Sequence, residues 1–201
     1  MDLFPPSSQD NLLPYDGVVN DYGDLIPQTD ADTIFLRLLN EVPWQQDEVV
    51  MFGKRILTER QVAWYGDKGF SYAYSGTTKH AIPWTDLLLY LKQQVEESCG
   101  ESFNSCLLNL YAHGQQGMGW HSDDEQTLLK DAAIASLSLG AERRFCFKHK
   151  RTGDRVETAL KHGSLLVMRG STQRHWLHNV PKSARVKDPR INLTFRQFLT
   201  N

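Results

Sequence analysis

From residue 103 to residue 199 the chain is a succession of short apolar runs broken by glycine, with no helix-length segment between them. Runs of strand length fall near 103–111, 133–139, 144–149, 155–160, 164–169, 175–180 and 190–199, punctuated by Gly114, Gly117, Gly119, Gly140, Gly153, Gly163 and Gly170. Many short strands at such spacing specify a sandwich or barrel. A doubly wound parallel sheet needs a crossover helix between successive strands, and this half of the chain supplies none. The sequence therefore predicts an α+β, mainly β protein: a double-stranded β-helix, or jelly-roll barrel, with its helices confined to the N-terminal half.

Two helices are expected there. Ile34, Leu38 and Leu39 recur at helical spacing over 30–41, with Thr29 or Asp30 as the cap and Pro43 as the stop. Trp84, Leu88, Leu91 and Val95 mark a second helix that opens at Pro83-Trp84-Thr85, runs to about Ser98 and ends at Gly100. Between the helices, Val49–Phe52 reads as a short strand ending at Gly53, and Phe70–Ser75 as another in which Tyr72 and Tyr74 share a face. Trp64–Asp67 suits a loop or lid. Residues 1–28, rich in Pro, Asp, Asn and Gly, read as an irregular arm. The expected organisation is that arm followed by one domain over 29–201, with helices and lid in 29–102 and the barrel in 103–201.

No apolar run approaches the ~18 residues that span a bilayer, and the N-terminus lacks the pattern of a secretory signal. Cys99, Cys106 and Cys146 lack Cys-x-x-Cys spacing and read as reduced thiols. These features predict a protein without membrane association in the cytoplasm, or in the nucleus of a eukaryote, and the chain is expected to be a monomer.

The chemistry concentrates in Trp120-His121-Ser122-Asp123-Asp124-Glu125. In an extended segment, residues two apart share a face, so His121 and Asp123 present an imidazole and a carboxylate to one point. A histidine from a distant strand would complete a two-His-one-carboxylate triad, which leaves open positions on Fe(II). His175 and His178 both qualify, and their opposite parity on a strand means that only one can point inward. Structural zinc is a weaker reading, because it usually takes cysteine and four protein ligands. Near the C-terminus, alternation puts Arg190, Asn192, Thr194 and Arg196 on one face of a strand and Ile191, Leu193 and Phe195 on the other. A solvated polar face is one reading. A dicarboxylate gripped by two guanidinium forks inside a barrel is the other.

Taken together, Asn109 and Tyr111, His121-Ser122-Asp123 with Glu125, His178, and Arg190-x-Asn192-x-Thr194-Phe195-Arg196 resemble the AlkB family of Fe(II)/2-oxoglutarate dioxygenases. Phe52-Gly53-Lys54 and Tyr72-Ala73-Tyr74-Ser75-Gly76 are similar to the family's DNA-repair branch. The resemblance covers roughly residues 44–199. It implies that His121, Asp123 and His178 bind iron, and that Asn109, Tyr111, Arg190, Asn192, Thr194 and Arg196 hold 2-oxoglutarate. It further implies oxidative removal of methyl groups from bases such as 1-methyladenine and 3-methylcytosine, using O2 and releasing formaldehyde. The damaged base would be extruded and stacked between Tyr74 and His121, with Asp124 and Glu125 facing its exocyclic amine or its positive charge. Phe52, Gly53, Lys54, Tyr72 and Ser75 would belong to the same substrate surface, with Phe52 as the wedge that fills the gap in the duplex.

The formal net charge of −2 hides an asymmetry: residues 49–201 hold 21 basic side chains against 14 acidic, and the acidic excess lies before them. A basic catalytic part is compatible with phosphate contacts. The cluster Arg143, Arg144, Lys148, Lys150 and Arg151 reads as a phosphate grip or as a solvated strand face, and Lys182, Arg185 and Lys187 form a second basic loop. Two alternatives stay open: an oxygenase of the same chemistry acting on RNA or a protein side chain, and a non-catalytic barrel that binds modified nucleic acid.

Overall fold

The computed structural model of the chain describes residues 10–51, 54–67, 70–74 and 77–199, of which 47–51, 54–56, 71–74 and 77–79 are described by their backbone alone. In chain order the elements of the N-terminal half are β1 (Val18–Asp24), α1 (Gln28–Glu41), β2 (Gln45–Met51), β3 (Lys54–Gly66), β4 (Ser71–Tyr74), β5 (Thr77–His80), β6 (Ile82–Pro83) and α2 (Asp86–Cys99). The barrel half follows with β7 (Ser105–Tyr111), β8 (Met118–His121), β9 (Ile134–Gly140), β10 (Arg143–His149), β11 (Arg155–Leu160), β12 (Ser164–Arg169), α3 (Thr172–His175), β13 (Trp176–Val180) and β14 (Arg190–Arg196).

These strands form a jelly roll. The larger sheet runs β1-β12-β9-β14-β7-β3-β2 with β6 beside β3, and the smaller runs β11-β10-β13-β8. Apart from the β10–β11 hairpin, successive strands from β7 to β14 alternate between the two sheets, which is how the chain folds without crossover helices. Period-2 alternation then assigns each side chain. On β14, Ile191, Leu193 and Phe195 join Leu108, Leu137, Leu38, Leu88 and Leu91 in a core between the larger sheet and helices α1 and α2. The space between the sheets is filled at one end by Phe145, Phe147, Met168 and Trp176. Arg190, Asn192 and Thr194 are also buried, so the polar face of β14 is not solvated, and its groups must find partners or a ligand.

Three local readings are corrected. The arm contains β1, which pairs with β12 through Val18↔Arg169 and Val19↔Met168; it covers what would otherwise be an open sheet edge, a tertiary requirement that composition does not encode. Trp64-Tyr65-Gly66 is no loop but the end of β3, paired to β7 by Trp64↔Leu107 and Tyr65↔Cys106, with Tyr65 buried. The polar run Thr58 to Gln61 obscures this strand's period because it lies beside the site, where Arg60 Nε donates to Asn109 Oδ1 at 3.0 Å. Helix α1 starts at Gln28 after Pro27 without a side-chain cap, whereas α2 is capped as its sequence predicts, the Thr85 hydroxyl accepting from Leu88 N–H and Gly100 closing it at φ 71°.

Gly140 closes β9 at φ 88°, and a Cβ there would lie 2.5 Å from the Pro189 carbonyl and 2.8 Å from the Phe35 ring. Gly140→Ala is therefore expected to destabilise the fold by about 1 kcal/mol or more, combining left-handed strain with a clash against the start of β14. A urea midpoint equal to the wild type's would contradict this.

Candidate metal and cosubstrate site

Strand β8 ends at His121 and lies against β13 with His178 directly opposite. The two imidazoles meet at a centroid separation of 4.2 Å, and ligand atoms of His121, Asp123 and His178 all lie within 4.8 Å of one another. His121 Nδ1 lies 2.9 Å from the Gly119 carbonyl, so it carries the hydrogen and leaves Nε2 free. Arg196 donates from Nε at 3.1 Å and Nη2 at 2.7 Å to the same oxygen of Asp123, Oδ2, leaving Oδ1 toward His121 Nε2 at 3.7 Å. The Asp123 backbone N–H donates to Gln173 Oε1 at 3.0 Å.

The electrostatics suit a cation. Burial pushes the Asp123 carboxyl up, but Arg196, His178 and His121 outweigh it and bring its pKa to about 2. Burial and the neighbouring His121 draw His178 down to about 3, so its ring stays neutral. Two imidazoles and an ionised carboxylate are the donor set of a divalent iron site with open positions.

Beside this group is a cavity into which Asn109, Tyr111, Arg190, Asn192, Thr194 and Arg196 all project. Strand register explains the convergence, since Arg190 pairs with Tyr111, and Asn192 lies between Asn109 on β7 and Ser138 on β9. Arg190 is 1% exposed. Its Nη2 donates to Ser138 Oγ at 2.9 Å and to Asn192 Oδ1 at 2.5 Å, whereas Nε and Nη1 are buried without a partner. Burial lowers its pKa to about 10. Asn192 Oδ1 also accepts from Ser136 Oγ at 2.9 Å, and its amide donates to Thr194 Oγ1 at 2.8 Å. A buried cation with two unpartnered donor nitrogens fits an anion such as a carboxylate.

Arg60, Ser136, Ser138 and Gln173 were not singled out by sequence. Ser136 and Ser138 alternate within Ile134–Gly140, and that spacing is the only local signal of a polar face. Arg60 and Gln173 reach the site only through tertiary packing.

His175 is not on a strand: it ends α3, and its ring stacks on His149 at 6.2 Å and 8°. His149, His175 and Asp16 also bring ligand-type atoms within 4.8 Å. However, the Thr152 backbone N–H donates to His149 Nδ1 at 3.1 Å, so Nε2 carries the hydrogen, 3.3 Å from Asp16 Oδ2. That nitrogen is not free to ligate, and the cluster clasps the Tyr15-Asp16 turn to the barrel.

The basic cluster divides. Arg143 is no phosphate grip: at 2% exposure it points between the sheets, because alternation along β10 puts it on the same side as Phe145 and Phe147. Arg144 is exposed and 3.6 Å from Glu157, while Lys150 donates to Ser122 Oγ at 3.0 Å and to the Gln173 carbonyl at 2.8 Å. Asp124 and Glu125 are exposed beside Asp123. Lys54 opens β3, and Tyr72 and Tyr74 lie on β4. Phe52, Gly53 and Ser75 lie outside the described residues.

A jelly roll that brings two histidines and an aspartate together next to a buried, anion-seeking arginine defines a facial-triad oxygenase. Residues 21–196 match the 2OG-Fe(II) oxygenase superfamily. Alpha-ketoglutarate-dependent dioxygenase alkB homolog 3 of Bos taurus is 44% identical over 177 residues, and the match spans 83% of this chain but only 61% of that relative's length. DNA oxidative demethylase ALKBH2 of Mus musculus is 40% identical over 195 residues, 92% of this chain and 82% of that protein. The solved structure of OsALKBH1 shares the fold, with a TM-score of 0.62 at 20% identity over 92% of this chain and 99% of that one. The chain belongs to the AlkB family of 2OG-Fe(II) oxygenases.

Proposed function

We propose that the chain is an oxidative demethylase of alkylated DNA. The observation that carries the cosubstrate half of this reading is Arg190, buried beside the triad with two donors unpartnered. The DNA half is supported by the 40% identity to a DNA oxidative demethylase over 82% of its length, and by the basic excess after residue 48.

In this reading His121, Asp123 and His178 are the residues that would hold Fe(II). Arg196 keeps Asp123 ionised and fixes which oxygen is offered to the metal. Arg190, with Asn109, Tyr111, Asn192 and Thr194, receives the far carboxylate of 2-oxoglutarate. When bound, Fe(II), 2-oxoglutarate and O2 supply the oxidation that hydroxylates the N-methyl carbon, after which formaldehyde and the restored base separate, with succinate and carbon dioxide as coproducts. Asp124 and Glu125, exposed next to Asp123, oppose the positive charge of a methylated base. Within 29–102, the strands that carry Lys54, Tyr72 and Tyr74 form the nucleotide-recognition lid together with Phe52, Gly53 and Ser75. The reading includes a monomer in a reducing compartment, cytoplasm or nucleus, supported by three free cysteines. Among the described residues no helix is long and apolar enough to cross a membrane.

The test supplies Fe(II), 2-oxoglutarate and O2 with oligonucleotides bearing 1-methyladenine or 3-methylcytosine and measures formaldehyde. Release from methylated DNA is expected. Consumption of 2-oxoglutarate with no release from DNA but release from RNA or a peptide would move the substrate, and absence of any turnover would leave a binding protein. Within the same assay, Phe52→Ala is expected to retain activity on single strands and to lose most of it on duplex lesions, because a wedge offsets an unstacking cost of a few kcal/mol only where a stack exists. Equal losses on both substrates would remove Phe52 from that role.

A further inference from the structure

Arg143 is a second buried cation, outside the lining of the cavity but next to Tyr111, which lines it, and the proposed reaction assigns it no role. Its Nη2 lies 3.3, 2.8 and 2.9 Å from the carbonyl oxygens of Gly114, Gln116 and Pro181. Gly114 and Gln116 form the turn that follows Tyr111, and Pro181 follows the strand that carries His178. One nitrogen therefore ties together the two segments that leave the site. The tie has no slack: a Cβ on Gly114 would fall 2.1 Å from the Ser183 carbonyl.

The rest of the guanidinium is without a counter-ion. Nη1 is buried with no partner, and among the described residues no carboxylate pairs with Arg143 or with Arg190. Both instead approach the same ring, with Cζ of Arg143 at 5.8 Å and Cζ of Arg190 at 5.6 Å from the Tyr111 centroid. Tyr111 itself is 3% exposed, so its ring is held by packing next to both. Two buried guanidiniums beside one aromatic ring repel each other unless an anion offsets both.

We propose that Arg143 is a positioning residue for the cosubstrate: it fixes Tyr111 from behind and adds a second positive charge to the end that receives the far carboxylate of 2-oxoglutarate. The inference rests on the reading that this cavity takes 2-oxoglutarate. It distinguishes Arg143 from Arg144, the exposed arginine of its own strand, whose charge is screened by water.

The test uses the full chain loaded with redox-inert Mn(II), with 2-oxoglutarate titrated by calorimetry and melting temperature recorded alongside. Arg143→Met is expected to weaken 2-oxoglutarate binding about tenfold while leaving Mn(II) affinity within about twofold, since the lost charge and ring contact lie at the carboxylate end and not at the metal. In steady state the same variant should raise KM for 2-oxoglutarate and keep kcat at saturation. A purely structural residue would lower the melting temperature and leave 2-oxoglutarate affinity unchanged, and that result overturns the proposal. If wild-type protein fails to bind 2-oxoglutarate, the cosubstrate reading falls, and the two failures are thus distinct. Should Arg143→Met not fold, Arg143→Lys keeps the charge but loses the planar fork. Its effect on 2-oxoglutarate affinity should shrink to less than about twofold in a Tyr111→Leu background, as expected of coupled neighbours, and an equal effect in both backgrounds would show that Arg143 does not act through Tyr111.

Discussion

His178→Ala is expected to give a folded protein with no turnover and severely weakened metal binding, whereas His175→Ala keeps the metal. The register His178↔His121 puts the two rings face to edge across neighbouring strands, with Asp123 alongside. Removing His178 leaves two protein ligands from one short segment, too few to fix a facial site. His175 lies on the far side of the helix-to-strand junction and stacks on His149, so its loss removes ring packing at the Tyr15-Asp16 clasp and costs stability, not metal. Mn(II) binding followed by calorimetry checks both variants, and loss of metal in His175→Ala with retention in His178→Ala would reverse the assignment.

Arg190 and Arg196 are expected to separate in a second experiment. Each charge-assisted bond to a carboxylate is worth roughly 1.5–3 kcal/mol, and Arg190 has two donors free to make one. Arg190→Met should therefore weaken 2-oxoglutarate binding by a factor on the order of 100, since about 1.4 kcal/mol is tenfold. The same change removes a buried cation that lacks an anionic partner, so the ligand-free protein should not melt lower than the wild type. Arg196 behaves differently because both of its bonds go to Asp123. Arg196→Ala should raise the 2-oxoglutarate requirement by roughly an order of magnitude and weaken the metal as well, because a buried carboxylate loses the group that keeps it ionised. Normal 2-oxoglutarate affinity in Arg190→Met would place the cosubstrate elsewhere. Normal affinity in Arg196→Ala with loss of DNA binding would put that arginine on the nucleic-acid surface.

The ligand types and the alternation of β14 were legible without a structure, because a strand's two-residue period is a local property. Once Ile191, Leu193 and Phe195 must face a core, Arg190, Asn192, Thr194 and Arg196 have to face the other way. The same locality made the capped helix α2 and the succession of barrel strands readable. Arg143 was misread as a surface cation because charge is a poor guide to burial when the counter-charge is not a side chain.

What the sequence by itself determined was the class of fold, the residues able to ligate iron and the strand able to hold a dicarboxylate, all set by patterns within ten or so residues. Only the tertiary structure decided which arginine of β14 is paired with a carboxylate and which is not. Arg196 meets Asp123 across 73 positions of chain, and Arg190 meets only hydroxyl and amide groups. Likewise, the junction at which α3 gives way to β13 and the register of β13 on β8 left His178, and not His175, beside His121. Pairing register and the closing of a sheet edge by β1 depend on partners far along the chain, and no local period carries that information.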